Sequence, residues 1–392
     1  MTTPPRRPIA PMAEHDRDAD REPREVVPVE PRKIILARES RGLTQGELAD
    51  RLGISQAKVS RIEAGMLGVT SEGLTKVADA LGYRRSFFLE PDDLYGIDTS
   101  VLYHRSLETS LIYHRKQQTI PVKTLSRIHA VLNIRRIHVE RLLRSARVEP
   151  VKAFPRFDID EYESPEAVAD AVRATWVLPR GPVASVTKTI EDAGGIILKV
   201  DFGTRQLDAV SQWIPHMPPL FFVNKDLPGD RLRLSLAHEL GHLVMHRTVN
   251  PDIEAQAFAF AAALLMPRDS FLPTLDAVTP ARLATLKPHW KVSMQAILKR
   301  ATDLGAVTDR QARYIWMQLS AAGYRLREPA ELDVPVEEPR LLREMIDVHS
   351  GKLRYSADDL GQLLGLVESE LRELYLPKAG AFQVVRGGRR SG

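Results

Sequence analysis

One stretch, residues 234–246 with the sequence LSLAHELGHLVMH, constrains this chain more than any other. It places His238, Glu239 and His242 in the order His-Glu-x-x-His within an apolar run. Residues four apart on a helix lie on one face, about 6 Å apart along the axis, so both imidazoles can reach one zinc ion at about 2.0–2.1 Å. Glu239 can then take a proton from a water molecule at the ion. The alternative interpretation is a buried helix with two hydrogen-bonded histidines.

A zinc site of this kind needs a third ligand, for which Glu254 is the best candidate. His246 lies two turns beyond His238, about 12 Å along the axis, which is too far to share the ion. Glu254 stands in the first turn of a second predicted helix, PDIEAQAFAFAAALLMP, whose body is almost entirely apolar. A carboxylate at the head of a buried helix needs a partner, and a metal would supply one. The alternative is a first-turn acid that interacts with the helix dipole.

These two predicted helices resemble the ImmA/IrrE metallopeptidase domain. The matching residues are His238, Glu239, His242, Glu254, Gln256, Ala257, Phe260, Ala261 and Leu265-Met266-Pro267. The resemblance implies that His238, His242 and Glu254 bind zinc and that Glu239 is the catalytic residue. The chain departs from the family pattern at Phe258, where a polar residue is usual.

A second motif, TQGELADRLGISQAKVSRIEAG, occupies residues 44–65. Thr44 and Glu47 have the spacing of a capping box, Gly53 predicts a turn, and Ser55 can cap the next helix. The pattern predicts helices over 45–52, 56–63 and 71–81, and it resembles the Xre/Cro-repressor helix-turn-helix.

The second helix of such a unit enters the major groove and contacts bases through its N-terminal residues. The residues predicted to face outward there are Ser55, Gln56, Ala57, Lys58, Ser60 and Arg61. Gln56 suits adenine, whereas Lys58 or Arg61 suits guanine or phosphate. The resemblance implies a phosphate contact for Gln45. The alternative is a helix-turn-helix that serves only protein–protein contact.

Length and composition limit the class of protein. A chain of 392 residues is expected to form two or three domains. Because the net charge is only +4, nucleic-acid binding rests on the local motif. The absence of cysteine excludes disulfides and thiolate ligands, which leaves His, Asp and Glu for a metal. We find no signal peptide and no apolar run long enough for a membrane span, so we expect a soluble, cytoplasmic protein.

The predicted fold is multidomain, with an all-α helix-turn-helix head and an α+β zincin-like body that contains a small β-sheet and the HExxH helix. Its predicted segments are a disordered tail (1–28), the helix-turn-helix domain (29–84), a linker with a long basic helix (85–150), the metallopeptidase domain (151–330), and a small helical region with a disordered tail (331–392). Strands are expected at 195–202, 207–213 and 219–224, followed by Asp230 as the cap of the HExxH helix.

The long basic helix has two interpretations. Its arginines are expected to form a solvated face: Arg127, Arg135, Arg136, Arg141 and Arg144. The helix is then either a connector or a dimerisation element, since dimeric heads read half-sites about one helical turn apart.

Together the two motifs predict a DNA-binding transcriptional regulator with a zinc-dependent peptidase-like domain. Its expected partners are an operator in double-stranded DNA, a protein substrate or repressor, and a second copy of the chain. The substrate would be a repressor or the chain itself. Two alternatives stay open: a regulator whose zincin-like domain only senses a ligand or binds a partner, and a protease that uses DNA only for placement.

Overall fold

The computed structural model describes residues 25–89, 120–246 and 251–376. Most of the two predicted disordered tails, 1–24 and 377–392, lies outside the described residues. The first described range, called the head below, contains β1 (Val26–Val27), α1 (Pro31–Ser40), α2 (Gln45–Leu52), α3 (Gln56–Glu63), β2 (Val69–Thr70), α4 (Ser71–Leu81) and α5 (Arg85–Leu89).

The remaining described elements follow a long helix. They are α6 (Val122–Leu143), α7 (Pro165–Thr175), α8 (Val186–Asp192), β3 (Ile196–Val200), β4 (Ala209–Gln212), β5 (Leu220–Asn224), α9 (Gly229–Met245), α10 (Ile253–Leu265), α11 (Arg268–Phe271), α12 (Pro280–Trp290), α13 (Met294–Asp303), α14 (Asp309–Ala321), α15 (Leu341–Gly351), α16 (Ala357–Leu364) and α17 (Glu368–Leu374). Among the described residues, no helix has the length and apolar character that crossing a membrane requires.

Local capping determines where the helices of the head begin and end. The Thr44 hydroxyl accepts from the N–H of Glu47 at 3.2 Å, and the Glu47 carboxylate accepts from the N–H of Thr44 at 2.6 Å. Gly53 ends α2 with φ of 64°, a conformation that glycine adopts without steric cost. Ser55 then accepts from the N–H of Lys58 in α3. The predicted bounds of α2, α3 and α4 are confirmed.

The head begins earlier than composition indicated. Val26 and Val27, which the sequence analysis placed in the tail, form β1, which pairs antiparallel with β2. Two adjacent β-branched residues favour a strand, and the charged residues around them masked this signal. The disordered tail therefore does not extend to residue 28.

The body contains a three-stranded sheet in the order β3-β5-β4. β3 runs parallel to β5, with Ile196 opposite Leu220, and β4 runs antiparallel to β5, with Ser211 opposite Phe221. All three predicted strands are present with slightly shorter bounds. β4 is an edge strand, so one side of its backbone is not paired within the sheet.

Each face of this sheet belongs to a different core, because successive side chains of a strand point to opposite faces. Ile196, Leu198 and Val200 of β3 pack in a core shared with the head, α6 and α15–α17. Ile197, between them, packs in the core formed by α7–α14. The sheet therefore lies between the head-side core and the core around α9.

The long basic helix is not a solvated connector along its whole face. Arg136 and Arg141 of α6 are 1% and 0% exposed, whereas both were predicted to face solvent. The guanidinium of Arg141 donates to the backbone oxygen of Leu363 at 2.9 Å. Because the acceptor lies more than 200 residues away in the chain, the local pattern of α6 gave no indication of it.

Helix α9 begins without the predicted cap. The capping position is Pro228, and no side chain caps the helix. Asp230 lies in the first turn instead, where its Oδ2 accepts from Nζ of the buried Lys287 at 2.7 Å. A proline fits this place because the first N–H groups of a helix have no intrahelical partner.

Candidate metal centre and nucleic-acid interface

Three candidate ligands converge where α9 and α10 pack together. The Nε2 atoms of His238 and His242 are 3.0 Å apart. Oε1 of Glu254 lies 3.4 Å from Nε2 of His242, and Oε2 lies 3.7 Å from Nε2 of His238. Both histidines are buried and the Glu254 side chain is 28% exposed. The structure thus brings together the three residues that the sequence analysis singled out.

These distances suit a tetrahedral zinc ion. Bonds of about 2.0–2.1 Å in tetrahedral geometry place neighbouring ligand atoms about 3.3 Å apart, close to the three separations in this cluster. The buried Oε1 of Glu254 has no hydrogen-bond partner among the described residues, as expected of an atom held for a cation. The residues present therefore fit the implied metal, with one position left open.

Gly241 allows the two helices to approach. A side chain at this position would meet Cδ1 of Phe260 at 2.8 Å, so even an alanine would push α10 away from α9. The close packing carries Glu254, which lies in the first turn of the same helix, to the histidine pair.

Glu239 is held beside the cluster by Ser211 of the edge strand β4. The Ser211 hydroxyl donates to Oε2 of Glu239 at 2.7 Å, and both residues are buried. Burial raises the pKa of the Glu239 carboxyl above its usual value, although the Ser211 hydrogen bond and His242 act in the opposite direction. The sequence analysis missed Ser211, because no local signal connects a strand serine with a helix 28 residues later.

A chain of hydrogen bonds leads away from His242. Nε2 of His246 lies 3.0 Å from Oε1 of Gln256, and Nδ1 of His246 lies 3.1 Å from Nδ1 of His242. Burial, with His242 adding to it, lowers the pKa of His246 to about 4, so its ring is neutral at pH 7. An amide oxygen only accepts, so Nε2 of His246 carries the hydrogen and its Nδ1 accepts from Nδ1–H of His242. With its hydrogen on Nδ1, the neutral ring of His242 presents the lone pair of Nε2 to the cluster.

His246 therefore has a role that the sequence analysis did not consider. Its distance from His238 excluded it as a ligand, but its position one turn after His242 suits a partner that fixes the tautomer of that ligand. The i, i+4 spacing of the two histidines was the available signal.

The cluster opens into a cleft of about 590 Å³. Its lining residues include Leu207, Asp208 and Ala209 at the start of β4, Arg231, Leu234 and Ser235 of α9, and Tyr324–Glu328 after α14. Phe258 stands at the opening, 53% exposed, with its ring centroid 4.3 Å from that of His238. The departure from the family pattern thus places an aromatic ring over a candidate ligand.

Three further side chains of the body make specific contacts. Trp213 packs against Phe154 with ring centroids 4.9 Å apart, and its indole N–H donates to the backbone oxygen of Met217. Ser293 caps α13 and also borders the cleft. Lys291 donates to the backbone oxygen of Ala184 at 3.0 Å.

In the head, the candidate DNA-contacting residues of α3 lie along its solvent-facing side. Ser55, Gln56, Ala57, Lys58 and Arg61 are exposed, and Ser60 is half-buried. The apolar residues of α3, Val59 and Ile62, face the core of the head. This arrangement presents a polar and basic surface on a fixed helix.

A hydrogen-bond network holds the start of that surface. Arg38 donates to both carboxylate oxygens of buried Glu63 at 2.6 and 3.1 Å. Nε2 of Gln45 donates to Glu63 at 2.8 Å, and Oε1 of Gln45 accepts from Gln56 at 2.7 Å. One amide hydrogen of Gln45 takes no part in this network, so it can serve a phosphate oxygen.

Comparison with known families agrees with both halves of the molecule. The helix-turn-helix family model matches residues 34–88, and the model of the IrrE N-terminal-like domain matches residues 190–302. No curated protein matches the chain. Both resemblances found in the sequence are confirmed over these residues.

Proposed function

Because this chain joins a helix-turn-helix domain to an IrrE N-terminal-like domain, we propose that it is a DNA-binding transcriptional regulator whose second domain is a zinc-dependent peptidase. In this proposal the head binds an operator, and the zincin-like body cleaves a repressor partner or the chain itself. The observation that carries the peptidase half is the placement of buried Glu239 beside the three candidate ligands.

The ligand set would be His238, His242 and Glu254. When bound there, zinc supplies a Lewis acid that polarises a peptide carbonyl and acidifies a water molecule. Glu239 accepts a proton at its carboxylate, and the Ser211 hydroxyl keeps that carboxylate in one orientation. A carboxylate held in this orientation can take up a proton and return it.

The edge strand supports a peptide as the substrate. β4 has an unpaired side, and its first residue, Ala209, lines the cleft together with Leu207 and Asp208 just before the strand. An extended peptide can add to such an edge through backbone hydrogen bonds, which select for an extended backbone rather than for a particular side chain. Phe258 at the opening offers an apolar contact for a substrate side chain.

The DNA half of the proposal rests on the solvent-facing side of α3. Lys58 and Arg61 can neutralise phosphates or contact guanine, and Gln56 can contact adenine. Gln45 contacts a phosphate at the start of α2. A homodimer would place two such surfaces on half-sites about one helical turn apart; sedimentation of the purified protein measures this state.

The alternative is a regulator in which the cleft binds zinc and a ligand without cleavage. The Glu239→Gln variant separates the two, since it removes the base but keeps the shape of the side chain. New protein N-termini are measured across cells that express the natural chain or the variant. We expect new N-termini only in cells that express the natural chain. We also expect the Glu239→Gln variant to lose transcriptional regulation. If the variant still binds zinc and still regulates transcription, the result would favour the alternative in which the cleft binds a ligand without cleavage.

A further inference from the structure

Residues 356–375, called the C-terminal unit below, repeat the geometry of residues 44–63. Helix α16 has the same length as α2, and each position of the first unit has its counterpart 312 residues further along, as Gln45 and Ala357 show at the two helix starts. The second helices, α3 and α17, begin at positions related by the same offset. Both matched family stretches, 34–88 and 190–302, end before the C-terminal unit.

The cap of the first helix and the turn also correspond, whereas Ser55, the cap of α3, is matched by Val367, whose side chain caps nothing. Ser356 forms a capping box with Asp359, as Thr44 does with Glu47. Gly365 ends α16 with φ of 71° and ψ of 21°, against 64° and 35° for Gly53. After the glycine, the N–H of Leu366 donates to Gly361 at 2.9 Å, and the N–H of Ile54 donates to Ala49 at 3.1 Å. The turn therefore has the same backbone conformation in both units.

Apolar positions follow the same register. The pairs are Leu48 and Leu360, Leu52 and Leu364, Ile54 and Leu366, Val59 and Leu371, and Ile62 and Leu374. Leu48 and Leu360 are 0% and 1% exposed, and Val59 and Leu371 are 2% and 0% exposed. Both segments thus form the same small helix-turn-helix core.

The charge of the second helix differs between the two units. The outward positions of α3 include Lys58 and Arg61, whereas α17 has the sequence ESELREL, with three glutamates and one arginine. DNA binding depends on basic groups that neutralise phosphates. An acidic second helix repels that backbone, so the C-terminal unit has the fold of a DNA-reading unit with a surface unsuited to DNA.

The C-terminal unit binds the head instead. The turn between α16 and α17 pairs with the residues after α4: Leu366 bridges Tyr83, and the N–H of Arg84 donates to the backbone oxygen of Gly365 at 3.0 Å. The Arg84 side chain donates to Leu366 at 2.8 Å and to Asp358 at 2.7 Å. These contacts use the backbone of the turn itself.

An ion pair extends the contact to α17. Arg41 donates to both carboxylate oxygens of Glu370 at 2.9 and 2.6 Å, and its guanidinium lies over the ring of Tyr83. The pair is partly buried, with side-chain exposures of 29% and 21%. A bidentate ion pair of this kind is both stronger and more specific in its geometry than a single hydrogen bond. None of the predicted DNA-contacting residues takes part in it.

We propose that the C-terminal unit is a second helix-turn-helix that binds the head of its own chain rather than DNA. Its acidic residues Asp358 and Glu370 pair with Arg84 and Arg41 of the head, neither of which is a candidate DNA-contacting residue. The segment before it is attached to the body, since Glu337 forms an ion pair with buried Arg233 of α9. The C-terminal unit thereby holds the head in a fixed position relative to the metal cleft.

Crosslinking tests this contact in the full-length protein without DNA, so the result does not depend on whether the head reads DNA. The chain has no cysteine, so a thiol-specific crosslinker reacts only with a cysteine pair introduced at Ser86 and Gln362. The Ser86 hydroxyl donates to the backbone oxygen of Gln362 at 3.2 Å, so a short bis-maleimide should join the two positions. We expect efficient crosslinking within one chain.

Charge reversal then tests the specificity of the contact. In the cysteine-pair protein, Glu370→Arg should reduce the crosslink several-fold, and adding Arg41→Glu should restore it. The control Glu373→Arg makes the same charge change at an exposed position of α17 and should leave the yield unchanged. Equal yields for Glu370→Arg and Glu373→Arg would overturn the proposal, as would failure of the double exchange to restore a lost crosslink in folded protein.

The competing hypothesis is that the C-terminal unit itself binds DNA, and DNA-binding measurements test it. The probe is duplex DNA selected by the natural protein from a random pool. If the proposal holds, Arg372→Ala leaves both the affinity and its salt dependence unchanged, because α17 does not contact phosphates. A weaker affinity with a smaller salt dependence would show that the C-terminal unit reads DNA and would overturn the proposal.

Discussion

Nδ1 of His242 lies 3.1 Å from Nδ1 of His246, which links a candidate zinc ligand to a residue too far along the helix to be a ligand itself. The contact orients the ring of His242 so that its Nε2 faces the cluster. Gln256, at 3.0 Å from Nε2 of His246, holds the outer end of the chain. The arrangement prepares the site for a cation.

We expect His246→Ala to weaken zinc binding about 10- to 100-fold, the usual effect of removing a partner that orients a metal ligand. The measurement is competition with a chelator of known affinity. His246→Asn, whose amide oxygen can still accept from His242, should recover part of the loss. The exposed His289→Ala serves as the control. Equal zinc affinities for His246→Ala and His289→Ala would refute the role of His246.

Gly229 at the start of α9 should not tolerate a side chain. A Cβ atom there would meet the backbone oxygens of Val334 and Pro335 well inside van der Waals contact. Gly229→Ala should therefore destabilise the protein by about 1–3 kcal/mol, as other overpacked sites do. The matched control is Gly181→Ala, where a Cβ atom has no neighbour within 4 Å. Chemical denaturation compares the two, and a Gly229→Ala variant as stable as the control would contradict the close approach.

Glu47 should stabilise the head in a manner that depends on pH. Hydrogen bonds from Thr44, and then from Lys123, lower its pKa from 4.5 to about 2. The folded state therefore favours the carboxylate, and this stabilisation is fully present above pH 4.5 and is lost as the pH falls through about 2. Glu47→Gln should lower the thermal midpoint at pH 7, and the difference from the natural chain should shrink progressively below pH 4.5.

The control for this series is Asp50→Asn, which removes an exposed acid from the same helix. Thermal unfolding followed by circular dichroism at each pH gives the comparison. The capping box would not be the cause of the stabilisation if the difference in thermal midpoint between the natural chain and Glu47→Gln stayed constant down to pH 2. The same would hold if that difference were already absent at pH 7.

Arg61→Ala should weaken operator binding by about 1–3 kcal/mol without changing the metal content, since the exposed guanidinium is placed for base or phosphate contact. Fluorescence anisotropy with the selected duplex, repeated over a salt series, measures the effect. Arg310→Ala, an exposed arginine of α14, is the matched control. An affinity that is unchanged at every salt concentration would count against α3 as the reading helix.

Features that depend on nearby residues could be predicted from the sequence. The bounds of α2, α3 and α4 follow from capping residues and glycines adjacent to them, and the pairing of His238 with His242 follows from helix periodicity. Glu254 could be anticipated as well, since a carboxylate at the start of an apolar helix needs a partner.

Features that depend on distant parts of the chain could not be predicted. Arg141 looked like a surface residue because its acceptor, the backbone oxygen of Leu363, belongs to the C-terminal unit. Ser211 reaches Glu239 only through the packing of β4 on α9. The C-terminal unit shares few identical residues with the first unit, so its geometry, rather than its sequence, shows the repeat.

The central claim is that His238, His242 and Glu254 bind one zinc ion. Its most direct test is the zinc content and affinity of the purified natural chain, of Glu254→Ala and of Glu239→Gln. We expect one zinc ion per chain, bound much more weakly after Glu254→Ala and with nearly full affinity after Glu239→Gln. A Glu254→Ala variant that binds zinc as tightly as the natural chain would contradict it.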